Sequence, residues 1–80
     1  MSHPLLPRLR IYRLKNAQRY VYAAARDERD ALKMADRKYD DLEPWSALYC
    51  GTQHDGKART RGLLEHEQVM KLFAMPRVRE

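Results

Sequence analysis

The sequence lacks the features of a secreted or membrane-spanning protein. Its 80 residues include a single cysteine, Cys50, which excludes an intramolecular disulfide framework and is typical of a reducing compartment. No apolar run approaches the roughly 18 residues of a membrane-spanning helix. The opening segment, MSHPLLPRLR, has no apolar stretch of signal-peptide length. We therefore expect a cytoplasmic protein that does not contact a membrane.

Glycine is scarce, and its placement excludes a glycine-rich phosphate loop. The three glycines, Gly51, Gly56 and Gly62, are evenly scattered along the second half of the chain. Such a loop needs clustered glycines whose backbone amides can approach a phosphate. We therefore expect no nucleotide-binding motif of that kind.

Metal ligands and activated nucleophiles are equally few. A structural zinc site needs four ligands, and the sequence offers Cys50, His54 and a distant His66. Cys50 ends a predicted strand, where a small buried hydrophobic residue is common, and His66 falls on the apolar side of a predicted helix. The acids after the first predicted helix lack the spacing and the central glycine of a calcium loop. We predict no catalytic residue, no metal and no cofactor.

The composition supports one folded domain. Hydrophobic residues make up 44% of the chain, which is enough for a core and more than a disordered segment carries. We predict a single compact domain over residues 1–80, with a flexible arm at residues 1–7 because Pro4 and Pro7 disfavour strand pairing. Residues 77–80 follow the last predicted helix and are expected to be frayed.

The chain is organised around residues 19–39, which read RYVYAAARDERDALKMADRKY. Residues 19–24 alternate like a strand. At Asp27 the period changes to that of a helix, which Asp27 can cap with the help of Asp30 three residues later. The apolar residues then recur at three- and four-residue spacings and form one stripe. The stripe consists of Ala31, Leu32, Met34, Ala35 and Tyr39.

The other segments complete an α+β pattern in the order β-β-α-β-(β)-α. Residues 9–14 predict a strand that forms a hairpin with residues 19–24 through a turn around Asn16. Residues 45–50 predict a third strand, and residues 57–61 are an optional fourth. A second helix follows Gly62 and ends at Pro76, with an apolar stripe of Leu63, His66, Val69, Met70 and Phe73. We therefore predict a small antiparallel sheet of three or four strands with two helices.

The pairing of the first two strands decides which side chains share a face of the sheet. We expect Ile11 to share a face with Val21 under the first helix, with Leu32 or Ala35 packed against one of them. The opposite face then carries a basic and aromatic set of Arg10, Tyr12, Tyr20 and Tyr22, extended by Trp45 and Tyr49. In the alternative arrangement the second helix covers this face, and the tyrosines belong to the core.

Positive charge is concentrated at the N-terminal end. The net charge is +5, and residues 1–19 hold five basic side chains and no acid. With the tyrosines and a second basic loop, these side chains form the predicted partner-binding set: Arg8, Arg10, Tyr12, Arg13, Lys15, Arg19, Tyr20, Tyr22, Lys57, Arg59 and Arg61. Such residues can neutralise phosphates and stack bases, and they are also enriched at protein interfaces. A surface charge that only maintains solubility is the third interpretation.

The segment YVYAAARDERDALKMA resembles the strand–cap–helix unit of several small anti-CRISPR proteins from phages and mobile elements. The resemblance implies a non-enzymatic inhibitor that binds a CRISPR effector complex and blocks its access to DNA. The basic charge balance differs from that of the acidic members that mimic nucleic acid. We expect a monomer whose partner is a larger protein or ribonucleoprotein complex with an anionic surface. The alternative function is a basic nucleic-acid-binding module that uses the arginine- and tyrosine-rich face.

Overall fold

A computed structural model describes residues 8–39 and 43–76 of the chain. Within them, four antiparallel strands form one sheet in the order β3-β1-β2-β4, and two helices pack on it. The elements are β1 Arg10–Lys15, β2 Tyr20–Ala25, α1 Glu28–Lys38, β3 Ser46–Tyr49, a 3₁₀ turn Thr52–His54, β4 Gly62–Leu64 and α2 His66–Ala74. The α+β class and the order β-β-α-β-β-α confirm the prediction. The arm predicted at residues 1–7 and the frayed end predicted at 77–80 lie outside the described residues.

Asn16 shapes the connection between β1 and β2. Its side-chain oxygen accepts hydrogen bonds from the backbone N–H groups of Gln18 and Arg19 at 2.8 and 2.9 Å, and its own N–H donates to the Arg19 carbonyl. The resulting connection over residues 16–19 pairs Lys15 with Tyr20. Because side chains alternate along a strand, this pairing decides which residues of the two strands share a face.

The observed pairing shows that the predicted faces of the sheet were wrong. Ile11 shares a face with Tyr22, and Tyr12 shares a face with Val21. Tyr12 is therefore separated from Tyr20 and Tyr22 by the sheet itself. A connection one residue shorter would have produced the predicted arrangement, since a shift of one residue exchanges the two faces of a strand.

The start of α1 follows the predicted capping pattern. Asp27 is the N-cap, and its Oδ1 accepts a hydrogen bond from the backbone N–H of Asp30 at 2.8 Å. Asp30 Oδ2 in turn accepts one from the backbone N–H of Arg26 at 3.1 Å. These two bonds satisfy amides that would otherwise have no partner at the helix start, so β2 passes directly into α1.

The α1 face of the sheet, defined by Tyr12, Leu14, Ala23 and Ala25, packs against α1. Ala31 and Ala35 of the helix belong to the same buried cluster, and Leu32, Met34 and Val21 pack around it. The predicted apolar stripe is therefore confirmed for Ala31, Leu32, Met34 and Ala35, whereas Tyr39 caps the helix and contacts the ring of Trp45 and the guanidinium of Arg19. Ile11 lies in the cluster on the other side of the sheet, so its predicted contact with α1 was wrong.

The α2 face is the opposite side of the sheet, where Val69 of α2 packs with Ile11 and Tyr22. Leu64, Leu72 and Phe73 complete this second cluster. The arrangement in which the second helix covers tyrosine side chains therefore holds for Tyr22. Neither helix in the described part of the chain is long and apolar enough to cross a lipid bilayer.

The fourth strand and the start of α2 differ from the prediction. The strand is Gly62–Leu64, which pairs with β2, whereas residues 57–61 form an irregular loop. The two leucines of β4 pack on opposite faces of the sheet, one in each cluster. The loop at residues 57–61 has no pair of large apolar side chains that could pack on both faces in this way. Glu65 is the N-cap of α2, its N–H donating to Gln68 Oε1 at 2.9 Å. His66, predicted to be partly buried on the apolar stripe of the second helix, is exposed.

Candidate anion-binding site

An open cavity lies at the end of the β1–β2 hairpin that is farthest from Asn16. Continuing the hairpin register beyond the pair Arg10 and Ala25 brings residues 8 and 9 beside Arg26. The loop before β4 passes over the same end, where the Gly56 N–H donates a hydrogen bond to the Leu9 carbonyl at 2.9 Å. Three separate parts of the chain therefore meet at this cavity.

Four arginines dominate the lining of the cavity, which we call the arginine pocket. Its volume is about 730 Å³, and its lining consists of Arg8, Leu9, Arg26, Gly56, Ala58, Arg59 and Arg61. No acidic side chain of the described residues belongs to that lining. The guanidinium groups remain charged at every physiological pH, so the pocket lining carries net positive charge, reduced by the ion pair between Arg61 and Asp30.

Asp30 anchors Arg61 from the α1 side. The Asp30 carboxylate accepts hydrogen bonds from Arg61 Nε at 2.7 Å and from Arg61 Nη2, in a two-point pairing. The bond from Arg61 is the main cause that lowers the pKa of Asp30 to about 2, and the same contact raises the pKa of Arg61. The pair ties the loop before β4 to the first turn of α1, and it holds one guanidinium of the pocket in a fixed orientation.

Arg26 and Arg59 lie in open parts of the pocket lining, whereas Lys57 of the same loop as Arg59 is buried. Arg26 and Arg59 are exposed, and neither forms an ion pair with a carboxylate of the described residues. The Arg8 stem lies against Gly56, where an added Cβ would be 3.5 Å from Arg8 Cδ. Gly56 has a φ of 81°, a conformation that glycine adopts without the steric cost paid by other residues. Gly56 therefore allows the turn after which Ala58, Arg59 and Arg61 line the pocket.

Lys57 connects this loop to α2 and does not belong to the pocket lining. Its side chain is only 6% exposed, and Nζ donates hydrogen bonds to the Phe73 carbonyl at 3.3 Å and to His54 Nδ1 at 3.1 Å. The His54 ring stacks on the Phe73 ring with 4.0 Å between centroids. Lys57 was predicted to contact a partner, but its ammonium group is buried in a structural contact.

The structure brings three of the predicted site residues together, namely Arg8, Arg59 and Arg61. Arg26 completes the pocket and was missed by the sequence analysis. Its position could have been found from the hairpin, because the pairing that joins Lys15 to Tyr20 also places Arg26 opposite Leu9. No sequence signal indicated that the loop after the 3₁₀ turn returns to this point.

The remaining predicted residues are spread over both faces and both ends of the sheet. Tyr12 and Tyr22 are buried on opposite faces. The Arg10 Cζ lies 5.6 Å from the centroid of the Tyr49 ring on the α1 face, and the Arg19 Cζ lies 4.4 Å from the centroid of the Tyr39 ring. The side chains left in solvent on the α2 face are Arg13, Lys15 and Tyr20. The single basic and aromatic surface predicted from the sequence is therefore not formed.

Trp45 and Tyr49 do not extend such a surface either. Both pack against the cluster on the α1 face. The Tyr49 hydroxyl donates to Asp55 at 2.7 Å, and burial together with this contact raises the pKa of Tyr49 to about 12. Tyr49 therefore serves to hold the 51–56 segment against β3.

The candidate metal ligands of the sequence have separate environments. Cys50 packs at the edge of the cluster on the α2 face, and burial raises the pKa of its thiol. His54 stacks on Phe73, and His66 contacts the rings of Tyr20 and Tyr22. In residues 8–39 and 43–76, no three histidine, cysteine or acidic side chains are grouped closely enough to hold a metal ion.

No protein-family model matches the chain, and no curated protein or solved structure is significantly similar to it. A functional proposal therefore depends on the arginine pocket and on the surface around it.

Proposed function

We propose that this protein is a small non-enzymatic interaction protein that binds an anionic surface of a larger protein or ribonucleoprotein complex. The observation that supports this proposal is the convergence of four arginines in one open cavity with no acid in its described lining. Arginine suits such contacts because its planar guanidinium group can donate two parallel hydrogen bonds to one carboxylate or phosphate.

The surroundings of the pocket favour a partner that covers it with a surface of its own. Arg26 and Arg59, which line the pocket, are exposed on the surface. An anionic complex would be drawn to this positive charge over a distance of several ångströms, which accelerates association. The arginine pocket would then supply the specific contacts.

A CRISPR effector complex is the specific partner that we propose to test first. The basis is the resemblance of the strand–cap–helix segment at residues 20–35 to small anti-CRISPR proteins. Such a complex combines a protein with a bound RNA, so it offers both carboxylates and phosphates to arginine side chains. Occupation of a surface that DNA must reach would make the protein an inhibitor without any chemistry of its own.

A basic nucleic-acid-binding module is the second candidate, and the pocket changes how it would work. Tyr12 and Tyr22 are buried, so they offer no platform on which bases can stack. The contacts would be made by arginines to backbone phosphates. Binding of this kind is nearly independent of sequence and weakens steeply with salt.

The proposed function is tested by pull-down of purified CRISPR effector complexes with the protein, followed by a DNA-binding assay on the effector. We expect a complex at micromolar protein and reduced binding of target DNA. The double variant Arg26→Glu with Arg59→Glu should abolish both effects, because it replaces two attractive contacts of the pocket by repulsive ones. The absence of any complex at micromolar protein would rule out the effector as the partner.

The matched control is Arg13→Glu with Lys15→Glu. It changes the net charge by the same amount, and both residues are exposed on β1 away from the pocket lining. Binding that survives the control but not the pocket variant supports the proposed site. Equal loss in both variants would mean that only the overall charge matters. A shift of labelled DNA or RNA by the protein alone, lost at high salt, would favour the second candidate.

A further inference from the structure

We propose that the arginine pocket is a phosphate-binding site of nucleotide dimensions. This inference rests on the proposed function, since it names the ligand chemistry of the same pocket. The volume of about 730 Å³ lies within the range of about 300–1,000 Å³ that is usual for small-molecule sites. A carboxylate side chain alone would leave most of that space empty.

The composition of the lining matches a phosphate bearing an organic group. Arg26 and Arg59 supply positive charge, Arg61 supplies donors held by its ion pair with Asp30, and Leu9 and Ala58 supply apolar surface. A phosphate carries three or four acceptor oxygens in a tetrahedral arrangement, and several arginines from different directions can each donate to it. The apolar surface would contact the sugar or base that is attached to the phosphate.

Arg61 gives the pocket one donor group that is oriented in advance. Nε and Nη2 of Arg61 are bound to Asp30, whereas Nη1 has no partner among the described residues. The Asp30 contact therefore fixes the plane of the guanidinium group while leaving donors for a ligand. Donors that are already oriented lose less conformational entropy when a ligand binds.

Gly56 and Lys57 attach the loop before β4, which carries Arg59, to other elements of the fold. Gly56 is tied to Leu9 by its backbone N–H, and Lys57 is tied to α2 by the Phe73 carbonyl. The loop that carries Arg59 is therefore attached to β1 on one side and to α2 on the other. A site on supported elements holds its contacts more closely than one on a free loop.

A phosphate can reach the pocket either as a free nucleotide or as part of a nucleic-acid backbone, and both sources offer the same oxygens. The experiment is an NMR titration of the ¹⁵N-labelled full chain with inorganic phosphate, adenosine monophosphate and a short single-stranded DNA. Sodium acetate at matched ionic strength is the carboxylate control. We expect shifts of the Arg26, Gly56 and Arg59 amides with every phosphate compound and much weaker shifts with acetate. Stronger binding of the mononucleotide per phosphate indicates a free nucleotide, and stronger binding of the oligonucleotide indicates a backbone.

The test variants remove charge from the pocket without reversing it. Arg26→Gln and Arg59→Gln are each expected to weaken phosphate binding by about ten-fold, the usual effect of losing one charge-assisted hydrogen bond. Arg59→Lys should restore part of the affinity, because lysine keeps the charge but not the two-point geometry. Arg37→Gln with Lys71→Gln neutralises two exposed cations outside the pocket lining and should leave binding unchanged.

Different results would contradict the phosphate site and the proposed partner. Phosphate binding without any complex with a larger partner would support the phosphate site and contradict the proposed function. A partner complex that depends on Arg26 and Arg59, without phosphate-induced shifts, would mean that the pocket binds carboxylates, and the inference would be overturned. Equal shifts with acetate and phosphate, or equal weakening by the control variant, would also overturn it.

Discussion

At the scale of single residues, Lys57 is a buried cation whose contacts among the described residues are a backbone carbonyl and an imidazole, not a carboxylate. Its ammonium group donates to a backbone carbonyl at the end of α2 and to the imidazole of His54. A lysine near a helix C-terminus also interacts favourably with the partial negative charge of that end. The contact with His54 requires that Nδ1 carry a lone pair, so the folded state needs His54 in its neutral form.

The stability of the protein should therefore depend on the protonation of His54. Burial and the charge of Lys57 lower the pKa of His54 below its ordinary value of 6.5, while Asp55 opposes this shift. The unfolded chain then takes up a proton more readily than the folded one. We expect full stability from this group above about pH 6.5 and a loss as the pH falls from there through the folded-state pKa.

Thermal denaturation between about pH 8 and about pH 5 measures this dependence. His54→Gln is the comparison, because its side-chain carbonyl can accept from Lys57 but does not titrate. The melting temperature of the variant should fall less over the acidic part of the range. Parallel profiles for the two proteins would mean that His54 does not contribute.

At the scale of elements, α1 approaches the sheet through alanines. Ala31 and Ala35 on the helix and Ala23 and Ala25 on β2 are all completely buried. Small side chains on both sides let the helix lie close to the strands, and packing at native density leaves no room for additional atoms. The capping bonds of Asp27 and Asp30 place the first turn so that these alanines meet.

We predict that Ala35→Leu destabilises the fold by about 1–3 kcal/mol, because extra methylene groups must displace the sheet or adopt strained rotamers. The free energy of unfolding is measured by urea denaturation. Lys33→Leu adds the same side chain to an exposed position of the helix and should have little effect. A stable Ala35→Leu variant would indicate that α1 lies farther from β2 than the structure shows.

At the scale of the whole molecule, one hairpin connection distributes the apolar residues between two clusters. Ile11 and Tyr22 lie under α2 only because Lys15 pairs with Tyr20. The same register brings Arg26 beside Leu9 and so assembles the arginine pocket at the other end of the hairpin. Core and candidate site therefore depend on the same connection.

We predict that Asn16→Ala destabilises the whole fold by about 1–3 kcal/mol, since two hydrogen bonds accepted from the Gln18 and Arg19 amides, each worth about 0.5–1.5 kcal/mol, are lost. Asn16→Asp keeps a side-chain oxygen at the same place and should cost less. Urea denaturation gives the free energy of both variants, and an unchanged slope with denaturant concentration would show that the folded states are equally compact. An effect of Asn16→Ala no larger than that of Asn16→Asp would contradict this role.

Much of the fold could be predicted because local patterns carry it. The alternation of residues 20–24, the cap at Asp27 and the alanine and leucine spacing of α1 indicate a strand and a helix without any knowledge of the rest of the chain. β4 was misplaced because a strand of three residues has too few positions to show a period. The start of α2 was predicted too early for the same reason, since Leu63 fits either the strand or the helix.

The sequence alone determined the class of the fold, the limits of its longest elements and the sign of the surface charge, because each depends on neighbouring residues or on composition. Only the tertiary structure decided which faces of β1 and β2 coincide, and with it the burial of Tyr12 and Tyr22 on opposite sides. It also decided that Arg8, Arg26, Arg59 and Arg61 meet in one pocket. The physical reason is that a shift of one residue in the hairpin exchanges the faces of a strand, and that the meeting of distant segments depends on packing and loop paths that no local pattern encodes.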